Sequence, residues 1–437
     1  MADLKTNTAG IESPNPFWLA SAPPTNTGDQ VMRAFDAGWG GAVWKTLGEP
    51  IVNTWSRYSA IDYNGMKMIG LNNIELITDR PLEVNLKEIV EVKKRYPKNA
   101  LIVSLMVESK RETWHEIVKK ACDAGADGLE LNFGCPHGMS ERGMGAAVGQ
   151  VPDYTCQITE WVKEASTVPV LVKLTPNITD VRYAARAAKK GGGDGVSLIN
   201  TINSITGIDL DTFAPRPTVA GKSSHGGYCG PAVKPIALNM IAEISRDPET
   251  YGLPISGIGG ISTWRDAAEF MLLGASTVQV CTAVMHYGFR IVEDMIDGLS
   301  NFLDEKDMTL AELIGASVKR VDDWKNLDLN YVVNASINQD KCIGCGLCYT
   351  ACNDGAHQAI GAKRGDNGRT DVWVIEENCV GCNLCSLVCP VDNCISMKQI
   401  PTDADPCTWT EHTGGSGKLA PRPQDDQHRV TERMNRS

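Results

Sequence analysis

No stretch of this 437-residue chain approaches the roughly 20 consecutive apolar residues that a membrane-spanning helix needs. The opening residues, MADLKTNTAGIESPNP, lack the apolar core of a signal peptide. Both absences lead to the expectation of a cytoplasmic protein. Basic residues are also outnumbered: 42 Lys and Arg against 53 Asp and Glu leave a net charge of −11, which argues against a nucleic-acid partner. No G-x-G-x-x-G fingerprint follows a predicted strand, so the sequence offers no evident seat for a dinucleotide. What remains is an ordinary globular composition, 42% hydrophobic and 22% charged, with room for one large domain and a small one.

Cysteine, by contrast, is plentiful. Of the 15 cysteines, Cys342, Cys345, Cys348 and Cys352 form one C-x2-C-x2-C-x3-C run, and Cys379, Cys382, Cys385 and Cys389 form a second, followed by Pro390. This is the spacing of two-cluster bacterial ferredoxins, in which three cysteines of one run hold a [4Fe-4S] cube and the fourth crosses to the other cube. The expected ligand sets are therefore Cys342, Cys345, Cys348 and Cys389 for cluster 1, and Cys379, Cys382, Cys385 and Cys352 for cluster 2. Gly344, Gly346 and Gly381 supply turns that let the backbone wrap closely around a cube. Zinc, the competing reading, draws its ligands from well-separated pairs and suits triple runs poorly. Isolated thiols such as Cys122, Cys135, Cys156, Cys229 and Cys281 fit a reducing compartment better than a disulfide scaffold. The chain is expected to move electrons.

From about residue 10 to 300, short apolar runs alternate with longer helical stretches. Eight strands are read: 17–20, 42–46, 101–105, 128–132, 170–174, 195–199, 255–257 and 277–280. Several follow a helix that ends in small residues and glycine, as in DAGWGGAVWK and DAGADGLELN. The predicted fold class is α/β, a TIM (β/α)8 barrel over residues 1–300, with an open doubly wound sheet as the competing architecture. A helical connector is expected over 301–335, carrying Leu303, Met308, Leu310, Leu313 and Ile314. A small α+β ferredoxin-like domain over 336–400 would hold both clusters, and the spacer between His357 and Asn378 would form a hairpin around DVWVIEEN. Residues 401–437, rich in Pro, Gly, Ser, Asp and Arg, read as a flexible tail in which Cys407 is a stray thiol.

Functional residues of a TIM barrel gather where strands stop. Here Ser21 ends the first run, Lys45 and Thr46 the second, Asn132 the fourth, Lys173 the fifth, and Asn200 with Thr201 the sixth. Gly259 and Gly260 follow the seventh, and Cys281 and Thr282 the eighth. Glycine-lined turns entering helices after the last two strands make the phosphate site of flavin barrels. Cys135 lies in LELNFGCPHGMSERGMG, on a polar loop after strand four beside Asn132, Pro136, His137 and Gly138. A thiol there can act as general acid or base toward a substrate lying over a flavin, whereas no hydrolytic constellation accompanies it.

These segments, together with NPFWLASAPPT, VWKTLG, LNNIEL, LVKLTPN, INTINS, GGYCGPAVKPIAL, ISGIGGIS and VQVCTAV, resemble the dihydropyrimidine dehydrogenases, members of the dihydroorotate dehydrogenase-like flavin barrels. The likeness runs from roughly residue 5 to 400, and the chain looks like the catalytic, FMN and iron–sulfur subunits of the bacterial NAD-dependent forms. FAD, NADPH and further iron–sulfur domains that the mammalian form fuses to this core are not found in the sequence. The resemblance implies FMN contacts from Ser21, Lys45, Thr46, Lys173, Gly230, Gly259, Gly260, Cys281 and Thr282. It implies pyrimidine contacts from Asn73, Glu75, Asn132, Asn200 and Thr201, and makes Cys135 the acid. Gly134 stands where the mammalian form carries serine, and Ile258 replaces a polar residue beside the phosphate loop.

The expected reaction reduces uracil or thymine, with hydride passing from flavin N5 to C6 and a proton from Cys135 to C5 on the opposite face. Electrons would arrive through the two clusters from an FAD- and NADH-binding partner, in a heterotetramer. Asparagine suits a neutral, planar ring because one side chain both donates and accepts. Lys173 would stabilise the anionic reduced flavin. Two alternatives stay open. A dihydroorotate dehydrogenase-type enzyme would need a cation for its substrate's carboxylate, and none is obvious among the named residues. An electron-transfer subunit with a non-catalytic barrel would have no use for an intact set of Cys135, Asn132, Lys173 and Asn200.

Overall fold

Apolar runs too short for helices become strands buried on both faces, which is why they read as continuous rather than alternating. In the computed structural model, which describes residues 2–49, 51–365 and 368–414, all seven residues of Gly41–Leu47 and all six of Ala100–Leu105 are buried. Eight such strands, β1 (Phe17–Leu19), β2 (Gly41–Leu47), β3 (Ala100–Leu105), β4 (Gly128–Asn132), β5 (Val170–Lys173), β6 (Gly195–Leu198), β7 (Ile255–Ile258) and β8 (Ala275–Val280), form a closed parallel barrel. They are the eight strands expected, with ends shifted by a residue or two. The barrel closes because β8 pairs with β1, Val278 opposite Phe17, as regularly as its inner neighbours pair with one another.

Between the strands lie α1 (Gly28–Ala37), α2 (Leu82–Arg95), α3 (Arg111–Asp123), α4 (Pro152–Ala165), α5 (Val181–Lys190), α6 (Lys234–Arg246) and α7 (Trp264–Leu272), and α8 (Ile291–Lys306) follows β8. Their ends are set locally. Thr27 caps α1 by accepting from the Gln30 N–H at 3.2 Å, and Gly38, at φ 111°, ends it in the left-handed region. An N-terminal hairpin, Thr6–Thr8 with Ile11–Ser13, covers the end of the barrel where strands begin. Its Thr8 hydroxyl meets Ser276 at 2.9 Å, and Ile11 packs where a side chain at Gly128 would sit. The opposite end is left for the site.

One sheet went unread in the sequence. Tyr58–Tyr63, Met66–Asn73, Ile202–Ser204 and Gly226–Cys229 form a four-stranded antiparallel sheet from the loops after β2 and β6. Asn64 and Gly65, at φ 48° and 80°, make its tight hairpin turn.

The chain divides into two compact units at Val321/Asp322, inside the stretch expected to be a connector. Leu303, Leu310 and Leu313 are buried in the barrel unit's core, with Met308 and Ile314 packed against it, so the boundary expected at residue 300 falls within α8. In the second unit β9 (Val332–Ile337) pairs with the later strand β12 (Ile395–Ile400), and β10 (Ile360–Arg364) with β11 (Thr370–Val374). The expected hairpin exists, but DVWV lies along its second strand instead of at its turn. Short helices α9 (Leu347–Gly355) and α10 (Leu384–Leu387) carry the ends of the two cysteine runs.

The flexible tail expected from residue 401 needs correction over 401–414. Trp409–His412 is helical, opened by a Thr408/Glu411 capping box, and Trp409 packs against Trp324 with ring centroids 5.8 Å apart and planes tilted by 51°. The Leu329 N–H donates to the Cys407 carbonyl at 2.8 Å and the Cys407 N–H donates to Asp328 Oδ1 at 3.0 Å, so the backbone of Cys407 is held by residues 328 and 329. Composition averaged over 37 mostly polar positions hid this local signal. The remaining tail, 415–437, lies outside the described residues. Among the described residues no helix is long and apolar enough to cross a membrane.

Phe270 of α7 is fully buried against β7 at Gly257. Phe270→Ala is expected to lower the barrel's unfolding free energy by about 3–5 kcal/mol, measured by chemical denaturation; a loss below 1 kcal/mol would contradict this packing.

Candidate functional site

At the C-terminal mouth of the barrel, with one wall supplied by the antiparallel sheet, lies a cavity enclosing about 1130 Å³ of empty space, part of it open to solvent. Ser21, Lys45, Thr46, Asn73, Glu75, Asn132, Cys135, Lys173, Asn200, Thr201, Gly230, Gly259, Gly260, Cys281 and Thr282 all line it. The strand ends bring the first group together, and the sheet brings Asn73 and Gly230.

A chain of hydrogen bonds ties the strand ends to one another. Ser21 Oγ meets Thr46 Oγ1 at 3.1 Å, and Thr46 Oγ1 meets Ser104 Oγ at 2.9 Å. Asn132 Nδ2 donates to Thr46 Oγ1 at 3.0 Å and its Oδ1 accepts from Asn200 Nδ2 at 2.9 Å. The Thr201 N–H in turn donates to Asn200 Oδ1 at 2.8 Å. On the sheet, Asn73 Nδ2 donates to the Gly227 carbonyl at 2.9 Å. The amides are thus held in fixed orientations before any ligand arrives.

Two cations line the cavity, and each meets a carboxylate. Lys173 Nζ lies 3.5 Å from Glu130 Oε1, and Glu130 is fully buried, its other oxygen accepting from Ser197 at 2.8 Å and Gln279 at 3.0 Å. Lys45 pairs closely with Glu75, whose carboxylate also accepts from Tyr58 and lies 3.4 Å from Arg57 Nη1. Burial and then the Glu75 hydrogen bond push the Tyr58 phenol well above its ordinary range. Glu75, expected to read a pyrimidine, has its carboxylate engaged by Lys45, Tyr58 and Arg57; through them it fixes the wall.

Cys135 sits on a loop folded back upon itself. Its carbonyl accepts from Ala146 N–H at 3.0 Å. Gly145, at φ 58°, passes so near that a Cβ would lie 2.7 Å from that carbonyl oxygen, so only glycine fits. The thiol donates to the His137 carbonyl at 3.5 Å. Burial pushes it up to about 11, against the opposing pull of the His137 backbone N–H and of Lys173, so at neutral pH it carries its proton. His137 donates from Nε2 to the Glu75 carbonyl at 3.2 Å, and burial lowers its proton affinity.

Two glycine turns meet at the cavity wall. Gly230, Gly259 and Gly260 have φ of 93°, 130° and 77°, and a Cβ on Gly260 would come within 2.9 Å of the Gly230 carbonyl and the Lys234 nitrogen. Such a side-chain-free cradle fits the phosphate of a flavin mononucleotide, with Thr282 opening the helix beside it.

In the second unit the eight cysteines surround two separate voids. Cys342, Cys345, Cys348 and Cys389 line one; Cys352, Cys379, Cys382 and Cys385 line the other. Each void draws three thiols from one run and the fourth from the other, a donor set that fits a cube with four iron corners.

The model of the dihydroorotate dehydrogenase family matches residues 3–303, and that of the 4Fe-4S dicluster domain matches residues 335–397. The chain belongs to the dihydroorotate dehydrogenase family. It is 47% identical over 360 residues to the NAD-dependent dihydropyrimidine dehydrogenase subunit PreA of Escherichia coli strain K12, covering 82% of this chain and 87% of that one. The chloroplastic dihydropyrimidine dehydrogenase (NADP(+)) of Arabidopsis thaliana is 43% identical over 329 residues, 72% of this chain and 77% of that one. The catalytic subunit of dihydroorotate dehydrogenase B (NAD(+)) from Pyrococcus abyssi is 35% identical over 317 residues, 72% of this chain and 99% of that one. This family member is accordingly an oxidoreductase with an iron–sulfur domain.

Sequence reading missed Glu130, Ser104 and Tyr58. Glu130 was legible: in Gly128–Asn132 it is a lone charge in an apolar strand, two residues from Asn132 and so on the same face. Gly134, serine in the mammalian form, has a local reason here, since a Cβ would lie 2.3 Å from that of Asn200.

Alkylation of Cys135 by iodoacetamide should be slow at pH 7 and accelerate about tenfold per unit until about pH 11, against a plateau above about pH 8.5 in denatured chain. Peptide mass spectrometry reads the rate; a native plateau near pH 8 would contradict the buried, protonated thiol.

Proposed function

We propose that this chain reduces uracil or thymine to the 5,6-dihydropyrimidine, with FMN in the barrel cavity and two [4Fe-4S] clusters in the second unit. Electrons would come from an FAD- and NADH-binding partner subunit, in a heterotetramer. The observation that carries this reading is a cavity in which preset amides, charge-balanced lysines and a protonated thiol face one space. FMN, when bound, supplies hydride to the ring; the remaining work falls to side chains.

Asn73, Asn132, Asn200 and Thr201 offer donors and acceptors to the edges of a neutral ring. Removing one buried partner should cost about 1–3 kcal/mol of binding. Lys45 and Lys173 hold positive charge at the cavity wall, where it favours electron density on a bound flavin. Cys135 delivers the proton at C5, and its high proton affinity keeps the acid form loaded at neutral pH. The glycines at 230, 259 and 260 leave room for the phosphate.

The 35% identity to a dihydroorotate dehydrogenase subunit makes orotate chemistry the second reading. The cavity argues for the neutral ring: its lysines already face Glu75 and Glu130, which leaves little attraction for a further carboxylate.

The decisive experiment is anaerobic. Protein reduced with dithionite and mixed with uracil should regain oxidised-flavin absorbance, while dihydroorotate should not reduce the oxidised protein. Cys135→Ala should keep its flavin yet reoxidise about 10²–10⁴-fold more slowly, and Cys135→Ser should fall between. Gly260→Ala should instead lose flavin on gel filtration. A Cys135→Ala rate equal to that of the parent would remove the acid assignment.

A further inference from the structure

The two cysteine-lined voids differ by one thiol. Ala359 accompanies the four cysteines around one, and Cys394 accompanies those around the other. These two residues hold matching places in the two halves. Each follows the last cysteine of its run, immediately precedes the isoleucine that opens a strand, and is buried, Ala359 at 3% and Cys394 at 2% exposure. Alanine evidently satisfies the packing at this place, so the sulfur at 394 is surplus to it.

Backbone contacts pin Cys394 where it stands. Its N–H donates to the Val391 carbonyl at 3.2 Å, and its carbonyl accepts from the Asn338 N–H at 2.8 Å. The Asn338 carbonyl accepts from the Cys342 N–H at 3.0 Å and from the Cys394 thiol at 3.6 Å. The Val391 carbonyl likewise accepts from both the Cys394 N–H and the Cys389 thiol, the latter at 3.6 Å, so Cys394 shares one backbone acceptor with the first corner of its void and another with the last.

We propose that Cys394 is a reserve ligand of cluster 1, able to take the iron corner of Cys389 or Cys342 when either is lost. This rests on the reading that a [4Fe-4S] cube occupies this void. In the exchange, the Fe–S bond to the departing cysteine breaks and one to Cys394 Sγ forms. The Cys394 proton passes to the departing thiolate, or to water where that residue has been replaced, and no electron moves. Among the described residues the void of cluster 2 has no such thiol, so the two should respond differently to loss of a ligand.

Iron and acid-labile sulfide per full-length chain, with electron paramagnetic resonance of oxidised and reduced samples, test this after anaerobic purification. The parent and Cys394→Ala should each carry about eight irons. Cys389→Ala should also keep about eight, with altered resonance of one reduced cluster. Cys389→Ala/Cys394→Ala, and the matched control Cys352→Ala, should lose between about one and four irons, with a three-iron signal when one is lost. Should Cys389→Ala fail to fold, Cys342→Ala with and without Cys394→Ala makes the same comparison. Equal cluster content in single and double variants, or loss of iron from Cys394→Ala alone, overturns the proposal. A parent well short of eight irons overturns the two-cluster reading instead.

Discussion

Asn132 hydrogen-bonds in two directions, and the barrel mouth depends on it. By donating to Thr46 and accepting from Asn200 it links the ends of β2, β4 and β6 at distances of 3.0 and 2.9 Å. Parallel strands feel no reason of their own to place their last residues in a common plane. Closure of the barrel brings the ends near, and this amide fixes their mutual orientation. The Gly134 N–H also donates to Asn132 Oδ1, at 3.3 Å, so the loop carrying Cys135 leaves the barrel in a direction set by the same side chain. A disturbance at Asn132 would therefore move Cys135 and the amides together, which makes the residue more than one contact among several.

Charge in the cavity is balanced from behind. Glu130 is buried below Lys173, and Glu75 lies in the wall beside Lys45. A buried ammonium without a partner would draw in an anion. Partnered, it can keep a positive charge facing the cavity without attracting acidic ligands strongly. That compromise suits neutral, edge-polar rings, and it costs the chain a fully buried glutamate held by Ser197 and Gln279.

Much of this could be read from the residues. The barrel was legible because both-face burial produces apolar runs that glycine-ended helices separate, and the strand-end rule then located the cavity residues. The antiparallel sheet was not, although Asn64-Gly65 between two short β-prone segments is a hairpin signal. Of its strands, 58–63 has no buried position and 66–73 runs from exposed to buried, so both lack the continuous apolar character of the barrel strands. Pairings such as Glu130 with Lys173 join residues 43 positions apart, and the pairing of β4 with β5 brings them within reach. The ordered part of the tail escaped for a different reason: one tryptophan and one capping box decide it, and averaging over composition erases both.

The second unit has an unusual source of cohesion. Its buried cluster consists of Ala335, Cys348, Cys352, Ala359, Ile360, Val372, Cys385, Cys394 and Ile395, so four of its nine members are cysteines. The other five are aliphatic, Ala335, Ala359, Ile360, Val372 and Ile395. The strands β9 and β12 join its two ends, and β10 with β11 close one side, but the centre is built of sulfur. Where metal ligands furnish the core, binding free energy is also folding free energy. Cluster insertion and folding of this unit should then be a single event, and a thiol that keeps a cube in place after loss of one corner would preserve the fold along with the cofactor.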